Sequence, residues 1–183
     1  MVFTETNLKD CYLIEPRIFT DERGYFMESF NERTFQNQTG IAVHFVQDNQ
    51  SQSTKGVLRG LHYQTGIYSQ AKLVRVLEGE VYDVVVDIRP GSATYGQQYG
   101  VMLSAENQKQ LFVPKGFAHG FLVTSETATF FYKCDEFYNK ESEAGIIFND
   151  PSLNIDWQFP TSELIISEKD KVQPLFKNAL PVW

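Results

Sequence analysis

Short apolar runs set between glycines and prolines along the whole chain constrain this sequence more than any other feature. Leu73-Val74-Arg75-Val76-Leu77 is rich in β-branched residues, Glu78-Gly79 is a turn signal, and Val81-Tyr82-Asp83-Val84-Val85-Val86-Asp87-Ile88 follows as a second run. Runs of this length bounded by turn residues read as strands, and these two read as a hairpin. Tyr99–Ser104, Gln110–Val113, His119–Thr124 and Thr127–Cys134 repeat the pattern. Helical signals are few. Asn31 can cap a short helix over Glu32-Arg33-Thr34-Phe35, and Ser104–Gln108 fits a single turn. The expectation is an all-β sandwich or barrel with a few short helices, and 183 residues read as one domain, 1–183.

Composition narrows the partners. Fifteen Phe, nine Tyr and two Trp are enough to build a core. Sixteen Lys and Arg against 23 Asp and Glu leave a formal charge of −7. Such a chain has no basic footprint for nucleic acid or for an anionic membrane surface. Three His and two Cys are too few for zinc-finger, iron–sulfur or disulfide-scaffold designs. No apolar run approaches the roughly 20 residues that span a bilayer. Met1-Val2-Phe3-Thr4-Glu5-Thr6 lacks a basic region followed by an apolar stretch, so no signal peptide is expected. Cys11 and Cys134 are read as reduced thiols of a cytoplasmic protein.

Alternation assigns faces. Lys72 shares a face with Val74 and Val76, and Tyr132 shares one with Ala128, Phe130 and Cys134. Both polar groups can therefore point into the sandwich. A buried Lys is costly unless it is paired or neutralised. The alternative is that Lys72 snorkels from a strand end to water.

Two motifs carry chemistry: Arg59-Gly60-Leu61-His62-Tyr63-Gln64 and Pro114-Lys115-Gly116-Phe117-Ala118-His119-Gly120. Together they resemble the two motifs of the cupins, small β-sandwich jelly rolls. His62-Tyr63-Gln64 stands where a metal cupin has His-x-His, and Lys72, seven residues before Gly79, stands where it has Glu. An ammonium there repels a divalent ion, so no metal is expected, and the position suits an anionic intermediate.

A closer resemblance covers essentially the whole chain. Phe19–Phe26, Gln47-Asp48-Asn49, Leu58–Gln64, Gln70–Val76, Tyr132-Lys133-Cys134, Asn149-Asp150-Pro151 and Ser167–Asp170 occur in the order found in the dTDP-4-dehydrorhamnose 3,5-epimerases. That resemblance implies a cofactor-independent cupin jelly-roll isomerase acting on a dTDP-4-dehydro-6-deoxy sugar. Protons at C3 and C5 lie α to the C4 ketone, so inversion needs a base, an enolate stabiliser and an acid on the opposite face. His62 is the natural base. The resemblance makes Asp170 its orienting carboxylate, Lys72 the enolate partner and Tyr132 the acid. Asp83, which faces inward from its run, competes with Asp170 for the role beside His62.

For the nucleotide, the resemblance points to Arg23 and Arg59 on the pyrophosphate, assisted by Lys169, because an Arg fork suits phosphate oxygens. Phe26, Glu28, Gln47, Asn49, His119, Tyr138 and Glu143 fall on positions that contact substrate. His44 is read as structural. Strict alternation puts Arg59 and His62 on opposite faces, so one pocket needs a twist or bulge, and Gly60 is the place for it. The resemblance further implies a homodimer whose N-terminal strands exchange, carrying Arg23, Phe26 and Glu28 to the partner's pocket. The rivals are an enzyme inverting C3 only or moving the ketone, a non-catalytic sugar-binding cupin, and a metal-dependent cupin dioxygenase.

Overall fold

A computed structural model describes residues 1–183. Its strands are β1 (Val2–Glu5), β2 (Tyr12–Glu15), β3 (Ile18–Asp21), β4 (Gly24–Met27), β5 (Gln47–Thr54), β6 (Val57–Gln64) and β7 (Lys72–Glu78). There follow β8 (Glu80–Asp87), β9 (Gln98–Ser104), β10 (Gln110–Val113), β11 (Phe117–Val123), β12 (Thr127–Cys134), β13 (Glu143–Gly145) and β14 (Ile165–Ile166). Two short α-helices, α1 (Glu32–Thr39) and α2 (Glu168–Lys171), and four single-turn 3-10 helices complete the regular structure. The first sheet has the order β1-β2-β10-β7-β12-β5 and the second β13-β6-β11-β8-β9, with β14 pairing parallel to β6. The expected all-β sandwich is what forms.

The middle layer is a core of Val74 and Val76 from β7, Val81 and Val85 from β8, Phe121 from β11 and Phe130 from β12. Each sheet is also covered on its back. Leu58, Leu61, Tyr63, Val84 and Val86 pack under Ile146, Phe148, Trp157 and Val182 of the C-terminal segment. Leu73 and Phe112 pack under Phe35 of α1. This explains the near-continuous apolar run of β8, which is buried on both faces.

One expectation is corrected. β7 and β8 do not pair as a hairpin: the first lies in one sheet and the second in the other. The Glu78-Gly79 turn exists, with Gly79 at φ +74, but it carries the chain across the sandwich. A Cβ at Gly79 would sit 2.0 Å from the Thr127 carbonyl oxygen, so only glycine fits this crossing. β10 and β12 have the expected bounds, and Asn31 caps α1 by accepting a hydrogen bond from the Thr34 N–H. Patterning names no strand over Gln47–Thr54, yet β5 forms there from eight polar residues. His44, read as structural, is exposed, with its ring 3.5 Å from the Glu32 carboxylate.

Candidate active site

A cavity of about 600 Å³ opens between the two sheets. The second sheet supplies Arg59 and His62 from β6 and His119 from β11, and the first supplies Asn49 from β5, Lys72 from β7 and Tyr132 from β12. Lys169 and Asp170 arrive from α2, at the other end of the chain. His62 and Tyr132 therefore stand on opposite walls of one space.

The irregularity needed at Gly60 is present. Leu58 faces the outer cluster before it, and Leu61 and Tyr63 face the same cluster after it, so the inward side changes from odd to even positions. The register against β11 shifts at the same place, between His119 and Phe121. Gly60 has φ +134, and a Cβ on it would lie 2.5 Å from the Gly120 Cα. Two glycines thus let β6 and β11 close over the bulge, which turns both Arg59 and His62 into the cavity.

Asp170, and not Asp83, is the partner of His62. Its Oδ1 lies 2.6 Å from His62 Nε2, and its Oδ2 accepts from the Gly60 N–H at 3.4 Å. Ser167 caps α2 by accepting from the Asp170 N–H at 3.1 Å, which fixes where the carboxylate begins. Burial opposes ionisation of Asp170, but the hydrogen bonds from His62, Gly60 and Ser167 outweigh it and hold the carboxyl below its ordinary range. Asp83 belongs to a second pair, with Oδ2 at 2.9 Å from His119 Nε2.

The other side chains are tuned by burial. Desolvation lowers the Lys72 ammonium, opposed by the negative charges of Asp83 and Glu143. Desolvation raises the Tyr132 phenol, leaving it a protonated donor at neutral pH. Lys72 Nζ sits 5.7 Å from the Tyr132 ring centroid. Arg59 is held by Ser53, whose Oγ accepts from both Nε and Nη2 at 3.1 and 3.0 Å.

A polar rim continues from the cavity. Glu143 pairs with Lys169 and accepts from the Tyr138 hydroxyl at 3.1 Å. The Gln47 side-chain amide donates to Asn49 at 3.0 Å and accepts from the Tyr138 N–H at 3.1 Å. Arg23, Phe26 and Glu28 are not brought to this cavity within one protomer. Arg23 and Phe26 line a separate concavity on the β3–β4 ribbon, and Glu28 follows β4. Arg23 is exposed and pairs with Asp21. No three His, Cys, Asp or Glu side chains gather as a metal site would require.

Sequence reading missed Ser51, Phe121, Phe130 and Ser167 on the cavity wall. It also missed Ser53, behind Arg59. For β5 a signal existed: an entirely polar strand suits one wall of a polar cavity. For Ser167 the signal was its capping position three residues before Asp170.

The sequence profile of the dTDP-4-dehydrorhamnose 3,5-epimerase family matches residues 5–178. A dTDP-4-dehydrorhamnose 3,5-epimerase of Shigella flexneri is 55% identical over 166 residues, 91% of each chain. The crystal structure of a dTDP-4-dehydrorhamnose 3,5-epimerase from Elizabethkingia anophelis NUHP1 superposes with a TM-score of 0.95 at 60% identity, covering 97% of both chains. A dTDP-6-deoxy-D-glucose-3,5-epimerase from Legionella pneumophila Philadelphia 1, solved in complex with dTDP-4-keto-L-rhamnose, gives a TM-score of 0.92 at 50% identity, covering 97% of this chain and 93% of that one.

Proposed function

The chain belongs to the dTDP-4-dehydrorhamnose 3,5-epimerase family of isomerases, and we propose from that premise how its own residues invert C3 and C5 of dTDP-4-dehydro-6-deoxyglucose. The observation that carries the reading is the His62–Asp170 pair on one wall of a cavity whose opposite wall holds Lys72 and Tyr132.

With Nε2 donating to Asp170, the His62 tautomer leaves Nδ1 free to accept a carbon-bound proton. His62 removes the proton α to the ketone, and the electron pair moves onto the C4 oxygen. Lys72 donates to that enolate oxygen, where an ammonium in a partly desolvated site acts strongly. Tyr132 returns a proton to the opposite face of the same carbon, inverting it. The cycle then repeats at the other α carbon. Between the two rounds His62 gives its proton to water and the Tyr132 phenolate regains one from water, so both side chains are reset, and the sequence of steps uses no redox cofactor and no metal.

Arg59 and Lys169 take the pyrophosphate, with His119 beside them. Asn49, Gln47, Tyr138 and Glu143 form the nucleotide and sugar rim. We assign Arg23, Phe26 and Glu28 to the partner's cavity in a homodimer. The support is the β3–β4 ribbon, a sheet of its own that exposes Ile18, Phe19, Tyr25 and Phe26. A two-stranded ribbon with uncovered aromatics is marginal alone and calls for a covering surface. The whole chain, 1–183, serves as one domain. Two buried free thiols support a reducing, cytoplasmic setting. No helix is long and apolar enough to cross a membrane.

Incubation with dTDP-4-dehydro-6-deoxyglucose in D2O tests the reading. Deuterium at both C3 and C5 is expected. Label at C3 alone would remove the double inversion, and label at neither would remove catalysis.

A further inference from the structure

Asp83, bonded to the cavity residue His119, is a buried carboxylate that the His62–Asp170 pair leaves outside the proton path. Asp83 lies on β8 between Val81 and Val85, on the face that enters the core between the sheets. Lys72 lies on β7 beyond Val74 and Val76, on the face that enters the same core from the opposite sheet. Asp83 is wholly buried. Its Oδ2 is occupied by His119, and its Oδ1 has no hydrogen-bond partner. Lys72 Nζ makes no hydrogen bond and no ion pair, only the aromatic contact with Tyr132. Two opposite charges, each short of a partner, thus face one core.

The other ionisable groups around Lys72 do not supply the missing charge. Cys134, beside Lys72 on β12, is pushed by burial up to about 11 and is a neutral thiol at pH 7. Glu143, from β13, is engaged by Lys169 and Tyr138. Tyr132 is a neutral phenol, and Arg59, His62 and His119 carry positive charge or none. Asp83 is the carboxylate that remains.

We propose that Asp83 is a positioning residue for Lys72: its free Oδ1 is the counter-charge that keeps the lysine an ammonium and aims it at the sugar's C4 oxygen, while its Oδ2 fixes His119. The inference rests on the enolate role given to Lys72 above. It predicts that the charge on Asp83, more than its shape, sets the alkaline limit of the reaction.

Asp83→Asn keeps the shape and removes the charge. In protein labelled with ¹⁵N-lysine, with the Lys72 signal identified by its loss in Lys72→Met, the variant should lower the pH at which Lys72 deprotonates by about one unit or more. The alkaline limb of kcat should move with it, with KM changed by less than about threefold, because a shift of one unit is a tenfold change in ammonium fraction. Asp83→Glu, which retains the charge, should return both towards wild type. His119→Gln, which removes the Oδ2 contact and leaves the carboxylate, should not lower the lysine titration. An unmoved Lys72 titration, or an equal loss of rate at every pH, overturns the proposal. Asp83→Ser carries the same test if the Asn variant folds poorly, since it is neutral and smaller. Absence of solvent exchange in the wild-type protein would count against the proposed function, whereas the Lys72 titration is read without turnover.

Discussion

Replacing Asp170 by Asn should damage the enzyme more than replacing it by Ala, and the geometry gives the reason. Asp170 Oδ2 accepts from the Gly60 N–H while Oδ1 faces His62 Nε2. In Asn, the single oxygen is drawn to the Gly60 donor, which directs the amide NH2 at His62. An NH2 there donates to Nε2, so the imidazole proton moves to Nδ1, the nitrogen needed as base. The wrong tautomer of a base histidine lowers turnover by on the order of 10⁴-fold in the serine-protease precedent. Asp170→Ala also frees the Gly60 N–H, but at His62 it removes one charge-assisted hydrogen bond, worth about 1.5–3 kcal/mol. At about 1.4 kcal/mol per factor of ten, that is a loss of roughly 10- to 150-fold. The assay is deuterium incorporation at C3 and C5, with dTDP affinity and thermal melting measured on the same samples to confirm a folded pocket. Affinity should stay within about threefold for both variants, because Asp170 acts on His62 and not on the nucleotide. If Asn supports exchange as well as Ala does, the tautomer argument fails. If both exchange within threefold of wild type, Asp170 does not orient the base at all.

Tyr132→Phe should leave the first proton removal largely intact while inversion falls by roughly 100- to 10,000-fold, the worth of one general acid; equal loss of exchange and inversion would reduce Tyr132 to packing. Mixing inactive Arg23→Ala and His62→Ala proteins after subunit exchange should restore about a quarter of wild-type activity, since half the dimers are mixed and one site in each is intact. No recovery would place Arg23 in its own protomer's site or outside any site. Gly60→Ala forces a Cβ to 2.5 Å from Gly120 at φ +134, and the melting temperature should drop steeply, with a stability loss of at least about 3 kcal/mol. A drop of only a degree or two would mean that the β6 bulge relaxes freely.

Period-two patterning made much of the fold legible. β10 and β12 were found with their bounds, the inward faces of Lys72 and Tyr132 followed from counting by twos, and Asn31 announced α1. Each of these depends only on neighbours along one strand or one turn. β5 escaped because polar residues carry no apolar period, although its polarity suits the cavity wall. The β7–β8 turn was visible, but its partner sheets were not, since a tight turn is compatible with pairing or with crossing.

Residue types and their order along the chain determined the chemistry this protein can offer: a histidine, an ammonium in place of a metal-binding carboxylate, a phenol and guanidinium groups. The family resemblance pointed to Asp170 for His62 and left Asp83 as a rival, and tertiary structure decided between them. Asp170 and Asp83 both suit a histidine partner on paper, and α2 docking against β6 gives His62 to Asp170 while strand pairing gives His119 to Asp83. It also decided, through the Gly60 bulge against Gly120, that Arg59 and His62 share one cavity. The physical reason is range. A strand's alternation is set by local backbone geometry, whereas contacts between residues 108 positions apart exist only once two sheets have closed on a common core.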